Sequence, residues 1–586
     1  MTRFGRASKL GAALLGGVLV LSACGSDSDG GDDADKNNNA GGGSADTVTL
    51  AWAQPLDSYN PTTAGANSNA NGTILNGTVG GFWGFDGERG LVTPHEEFGT
   101  YEKVSDDPLT VEYTINEAAV WSDGDPIDCN DIQLWWTQQS GAIDGLFSAV
   151  GTQGIEDTTR PECEPGGKSF TLVYDTPYAD WETAGPGVGN NKIMPAHVVA
   201  REGGLSDEEF LAALLDEDAD ALADAAQFFN EGWLINGSLP DESLIPSSGP
   251  YKLTGFEEGQ SVTLTANEAY WGEQPATKTI VVRMVAEEQQ VQALQNGEVD
   301  VIQPQPTVDV ANQLAQASGI QTYLGDQYTY EHWDFNFDRG PFSESLALRQ
   351  AFALCAPRQQ IVENLIQPIV PDATVKDVRN LAPWDPGYDL GVDAVAPVIA
   401  EFGTTDIERA RQILEEEDAV GTKIRVETLD NQRRNDSGAL VKASCDEAGF
   451  DVEFVSSADF FDTTGGLSQG TFDVAQFAWI GSNQMSGWNS TFRSPAECSV
   501  DGKGNNNGCY SNPELDQLLD DILVAPNPED AQAIAAEIEL KLWEDMVTIP
   551  IFQHPGITAW GDSVQNIVPN PSQGSITWNV HEWSKG

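Results

Sequence analysis

The chain has 586 residues, 40% of them hydrophobic, and carries 91 acidic against 29 basic side chains, a formal net charge of −62. So acidic a surface repels phosphate backbones and anionic lipid headgroups, which argues against nucleic acid as a partner. The length exceeds what one hydrophobic core serves, and ordinary domain sizes divide it into about three or four lobes.

The first residues read as an export signal. Arg3, Arg6 and Lys9 are basic, Leu10 to Leu21 is apolar, and small residues precede Cys24. A membrane-spanning helix needs about 20 apolar residues, more than this stretch offers, so residues 1–23 are expected to be removed on export. Leu21-Ser22-Ala23-Cys24 resembles a lipobox, which implies cleavage before Cys24 and diacylation of its thiol. Beyond Cys24, residues 25–45 hold no apolar side chain larger than alanine and cannot repay the entropy of ordering, so 24–45 forms one segment. They read as a disordered tether with a reach of about 25 Å. A lipid-anchored protein on the outer face of the cell membrane is expected.

Thr47 to Trp52 alternates as a strand, and a Pro/Asn/Gly-rich passage follows to Gly81. Strands are expected at Val111–Ile115 and Phe170–Tyr174, with a helix from Asp128 to Gln138 capped by Asp128 or Asn130. Ser206 to Phe229 reads as one acidic helix capped by Ser206, its run Asp216 to Asp224 a solvated face. Tyr251–Phe256 and Ser261–Ala266 read as a hairpin, Thr279–Val285 as a strand, and Glu287–Asn296 as a helix that Gly297 stops. Later helices are expected at Ser345–Leu354, Ile407–Glu417, Gly438–Ala448, Pro513–Val524 and Asp530–Asp545, with strands at Lys423–Leu429, Asp451–Val455 and Phe472–Trp479. The class is α/β with mixed sheets, and no fixed-period repeat points to a solenoid or propeller.

Seven cysteines occur; with Cys24 lipidated, Cys129, Cys163, Cys355, Cys445, Cys498 and Cys509 remain, an even number in an oxidising compartment. Sequence proximity favours Cys498 with Cys509 across a Gly/Asn-rich loop. Pairings of the other four stay open, Cys129 with Cys163 and Cys355 with Cys445 among them. No Cys-x-x-Cys or His-Glu-x-x-His is present, so no metal and no cofactor is expected.

Several runs spread along the chain carry a resemblance. Trp121-Ser122-Asp123-Gly124-Asp125-Pro126 with Asn130-Asp131-Ile132 is similar to "W-x-D-G-x-P-x-x-A-x-D-V". Ser248-Gly249-Pro250-Tyr251 and Asn267-Glu268-Ala269-Tyr270-Trp271 are similar to "G-T-G-P-Y … N-x-x-Y-W". Leu294 to Asp300 is similar to "L-x-x-G-E-x-D", and Leu348-Arg349-Gln350-Ala351 with Arg358 to Ile361 to "V-R-Q-A-x … D-R-x-x-I". In order and spacing these runs resemble the substrate-binding proteins of ABC importers, solute-binding family 5, the oligopeptide, dipeptide and nickel-binding lipoprotein type.

That resemblance implies a two-lobed, type II periplasmic-binding-protein-like fold with an extra small domain and a hinge. Mapped here, lobe I collects 46–75, 188–325 and 553–586, the small domain spans 76–187, and lobe II covers 326–552. It implies a monomeric, non-enzymatic capture protein that closes on a small-molecule or peptide ligand and delivers it to membrane permease subunits. An oligopeptide is the first expectation; an oligosaccharide, a metal or nickel chelate, or a glycolipid-related ligand on the same fold is the alternative.

Most signature residues read as scaffold, so candidate contacts come from segments expected to line the cleft: Tyr59, Asn60 and Asn69 after the first strand; Tyr330, His332 and Trp333 before the second lobe's first strand; and Trp479, Ile480, Ser482, Asn483 and Trp488. In the peptide-binding branch the run matching Trp479–Ser482 ends in an Asp that accepts the ligand's ammonium. Ser482 stands there instead, and a neutral hydroxyl cannot supply charge-assisted pairing, which leaves the role to Glu331 or another acid. A secreted hydrolase is the remaining class. Gly466-Leu467-Ser468-Gln469-Gly470 matches G-x-S-x-G, but a nucleophile elbow needs a strand before and a helix after, whereas a helix is expected before it and a strand after.

Overall fold

The alternation of Thr47–Trp52 sets that strand inside a ten-stranded mixed sheet. The computed structural model describes residues 46–462, 464–479, 484–500, 502–572 and 574–586. The signal segment, Cys24, the tether and Ile480, Ser482 and Asn483 lie outside these. Across the sheet the strands run in the order Asp451–Ser457, Lys423–Leu429, Val474–Trp479, Ile320–Phe335, Thr548–Gly561, Val301–Ile302, Thr47–Trp52, Thr279–Met284, Ser261–Ala266 and Tyr251–Glu257. A three-stranded antiparallel sheet forms separately from Gly99–Asp106, Leu109–Ile115 and Ser169–Val173.

Two strands are much longer than the rest, Ile320–Phe335 with 16 residues and Thr548–Gly561 with 14. They pair antiparallel, and each is antiparallel to its outer neighbour. Thr47–Trp52 is parallel to Val301–Ile302 and Thr279–Met284, and Lys423–Leu429 is parallel to Asp451–Ser457 and Val474–Trp479. With three reversals between them, the two parallel sets run in opposite directions. Val301 stands opposite Trp560 while Trp479 stands opposite Tyr330, so the sets present their carboxyl ends to each other across the middle of the long pair. There the long strands slip register, between Asp326 and Tyr330.

Burial divides along the same line. One apolar cluster draws on Val48, Tyr113, Trp135, Phe229 and Val282, together with Ile576 and Trp583. Others gather Trp333, Phe352, Val441 and Ile549, and Trp488, Leu519 and Leu542. A smaller cluster joins Ala51, Leu294 and Ile302 to Ile369 and Ile557. Disulfides link Cys129 to Cys163, Cys355 to Cys445 and Cys498 to Cys509. Among the described residues no helix is long and apolar enough to cross a membrane.

The signature runs are local scaffolding. Gly124 adopts φ +98° in the Asp-Gly turn, a conformation that side chains resist. Asp128 caps Cys129–Gln139 in a capping box with Asp131. Lys168 donates to the carbonyls of Ala119 and Ile127, both at 2.7 Å, and Arg349 to those of Phe342 and Asp545.

Four sequence expectations need correction. Ser206–Phe229 is two helices, Asp207–Leu215 and Ala219–Glu231, because Glu217 takes φ +53° and Asp218 caps the second. Tyr328 to Trp333 lies inside the long strand, not before a strand. The helix expected at Gly438–Ala448 begins at Gln432, where Asn431 caps it. No long helix precedes Ser468, which sits in the short helix Gly466–Gln469 ahead of the strand Val474–Trp479.

Candidate ligand cleft

Ligands of open α/β sheets collect at the carboxyl ends of strands, and here two such edges confront each other. Trp52 ends a strand on one side with its indole N–H buried and, among the described residues, unpartnered. Trp479 ends a strand on the other and remains partly exposed. Its ring stacks at 6.3 Å and 9° on His332 and lies 5.4 Å from Phe477. Beside it Phe461 is 47% exposed while touching Phe460 and Phe477, so an apolar lip extends from Trp479 into the seam.

The long strand alternates two kinds of chemistry. On one face are Tyr330, whose hydroxyl donates to Asn380 at 3.3 Å, and His332, fully buried with neither ring nitrogen hydrogen-bonded among the described residues. The His332 Nδ1 stands 2.8 Å from Asp334 Oδ1, but the two do not make a hydrogen bond. Lys376 donates to Leu381 at 2.6 Å and Gln553 at 2.7 Å, and burial brings its amine down to about 8. On the other face Glu331 is buried and fully engaged: Arg434 Nε and Gln476 donate to Oε1 at 2.7 and 3.1 Å, and Arg434 Nη2 and His554 meet Oε2 at 3.1 and 2.8 Å. Burial alone would raise its pKa, but the Arg434 charge and these bonds outweigh it and hold the carboxyl well below the usual range. Glu331 therefore has no lone pair free for a ligand ammonium, which corrects the substitution expected for it.

The other candidates divide. Tyr59 is core, its hydroxyl donating to Pro246 at 2.8 Å, and Asn60 is buried with its amide on Phe229 O at 3.1 Å. Asn69 is exposed at the start of the helix Asn69–Ile74. Trp333 points into the helical layer against Phe352, and Trp488 is 1% exposed beside Phe492, so packing occupies both. Trp52, Phe461 and Arg433 are not among the candidates that the sequence singles out. For Arg433 a signal existed, two arginines opening a helix in a strongly acidic chain.

The edges touch at several points. Asp180 accepts from the backbone N–H of Met485 at 2.9 Å and of Ser486 at 2.7 Å, and Gln484 donates to Thr183 at 2.7 Å. Trp384 donates to Arg89 O at 3.0 Å and to the Tyr328 hydroxyl at 3.1 Å. Arg433 reaches Pro306 O at 3.2 Å.

Known proteins resemble this chain in sequence and in fold. The sequence pattern of bacterial extracellular solute-binding proteins, family 5 (middle), matches residues 93–496. An uncharacterized lipoprotein of Mycobacterium tuberculosis is 28% identical over 602 aligned positions, covering 100% of this chain and 98% of its own. The oligopeptide-binding protein OppA of the same species is 25% identical, covering 80% of this chain and 73% of its own. Among solved structures, the periplasmic EDTA-binding protein EppA aligns with a TM-score of 0.79 at 23% identity, over 93% of this chain and 97% of its own. The oligopeptide-binding protein AppA of Bacillus subtilis, solved with a nonapeptide, gives 0.68 at 16% identity, over 92% and 99%.

Proposed function

The chain belongs to family 5 of the bacterial extracellular solute-binding proteins, and from that premise we propose that it captures an oligopeptide between two lobes and hands it to the permease of an ABC importer. The family is substrate-binding and non-enzymatic, and it works outside the cytoplasm with ABC permeases. The observation that carries the reading is the pair of long strands joining opposed carboxyl edges with a register slip midway. Two crossing strands of this kind bend at small cost, and a ligand touching both edges favours the closed form by its extra contacts.

In this reading lobe I is 46–75, 188–325 and 553–586, the small domain is 76–187, and lobe II is 326–552. The two large apolar clusters, one around Val48 and Val282 and one around Trp333 and Val441, support the division between lobes, while the smaller cluster of Ala51, Leu294 and Ile557 takes in Ile369 from lobe II. Trp479 is the principal contact, with Phe461 beside it, Trp52 on the opposite edge, and Ser482 and Asn483 following in sequence. A lipid at Cys24 tethers a monomer to the outer face of the membrane, a placement that the lipoprotein relatives support. The peptide-binding relative and the nonapeptide-bound neighbour favour a peptide. A second reading, a metal chelate, draws on His332 with its unbonded ring nitrogens and on the EDTA-binding neighbour.

Melting temperatures against a panel of tri- to nonapeptides, oligosaccharides and metal chelates test this. A ligand at 100 times its Kd stabilises by about 2.7 kcal/mol, and peptides are expected to supply the shift. A shift with sugars or chelates alone would replace the ligand and keep the fold.

A further inference from the structure

Arg433 and Arg434 occupy the first turn of the helix Gln432–Ala448, which has no acidic residue in that turn. The positive end of a helix dipole disfavours cations there, so the pair is not present for the helix. Arg434 is matched by Glu331. Arg433 forms no ion pair among the described residues, in a chain with 91 acidic side chains available to supply one. Its Nη1 donates to Pro306 O at 3.2 Å, and its Nη2 lies 3.4 Å from His554 Nδ1. Its Nε is enclosed and, among the described residues, unpartnered. Phe552 lies beneath the guanidinium at 5.7 Å.

The protonation of the cluster follows from the donors. Guanidinium nitrogens only donate, so His554 Nδ1 is the acceptor, and its Nε2 carries the proton toward Glu331. Burial, with the Arg433 charge beside it, holds His554 neutral by bringing it down to about 4. Two arginines, one carboxylate and a neutral imidazole leave one positive charge uncompensated at the seam. Arg433 is partly buried, and a partly desolvated cation without a counter-ion gains when an anion joins it.

We propose that Arg433 anchors a carboxylate of the ligand, drawn against the guanidinium where the Pro306 segment meets the first turn of the helix. The inference rests on the cleft reading above and deepens it by assigning the charge of one ligand end. Arginine suits the task because its planar fork matches a carboxylate through two parallel bonds. A peptide carboxyl terminus and a chelate carboxylate share this chemistry.

The test uses the mature chain and its R433Q and R433K variants, with near-UV circular dichroism checking that each is folded. Melting temperatures are read in acetate and succinate against chloride at constant ionic strength, then with tri- to pentapeptides as free acids and as carboxyl-terminal amides. The small carboxylates are expected to raise the wild-type melting temperature, to have less effect on R433K, and to leave R433Q unmoved. Free-acid peptides are expected to bind the wild type at least tenfold more tightly than the amides, a preference that R433Q loses. Equal response of wild type and R433Q to carboxylates, or none in either, overturns the anchor whatever the peptides do. If R433Q fails to fold, equal affinity of the wild type for acid and amide peptides overturns it. Carboxylate stabilisation that needs Arg433, with no binding of any peptide, sinks the peptide reading and leaves the anchor standing.

Discussion

Trp479 shows how a single side chain divides its surface between support and function. One ring face rests on His332, while the partly exposed remainder lies at the strand's carboxyl end with Phe461 beside it. Trp479→Ala is expected to weaken ligand binding by about 1 to 3 kcal/mol, the range of an aromatic hot spot, with little loss of fold; calorimetric titration reads it. Ser468→Ala should leave the same titration unchanged, since the helix Gly466–Gln469 supplies no nucleophile elbow. Lys192 tests the interior. It is buried with its amine on the carbonyls of Leu75 at 2.9 Å and Val79 at 3.3 Å, and burial lowers its pKa from 10.5 to about 7. Between those values the unfolded chain binds the proton and the folded chain does not, so this group makes stability rise with pH. Urea denaturation of wild type and Lys192→Met across that window should differ by a slope of at most about 1.4 kcal/mol per pH unit. Parallel curves would contradict the assignment.

At the scale of elements, the disulfides differ in what they hold. Cys355–Cys445 ties the helix Leu346–Cys355 to Gln432–Ala448 across a separation of 90 residues, whereas Cys498–Cys509 closes 11. Loop-closure entropy predicts that replacing the first pair by alanine costs about 4 to 5 kcal/mol and the second about 3, which denaturant midpoints can rank. Most elements were legible because their signals are local: the Asp128 cap, the Tyr251–Ala266 hairpin, the Gly after Asn296. The acidic helix was misread because apolar periodicity continues through Asp216 to Asp218, and only the backbone at Glu217 records the break. The long strands escaped notice because a strand crossing from one packing environment to another carries no single alternation. The candidate site was legible in part. Trp479 stood out by composition, but Trp52, Phe461 and Arg433 acquire meaning only when two distant carboxyl edges are brought together. Trp333 and Trp488 misled because a large aromatic in a cleft segment and one in a core look alike in sequence.

For the whole molecule, the seam contacts become part of the binding equilibrium. Asp180 accepts two backbone N–H bonds from Met485 and Ser486, and in the proposed hinge closure these bonds favour the closed form. Bonds to a charged group are worth about 1.5 to 3 kcal/mol each, so Asp180→Ala should reduce apparent affinity by about tenfold or more while Trp479 still makes its contact. A normal dissociation constant in that variant would show that the contact is not coupled to capture. Capture between two lobes requires movement about the two long strands. Small-angle X-ray scattering of the mature chain, first stripped of ligand and then saturated with the peptide that stabilises it, measures this most directly. The radius of gyration should fall on saturation as the opposed edges close; superimposable curves at proven saturation would contradict the account.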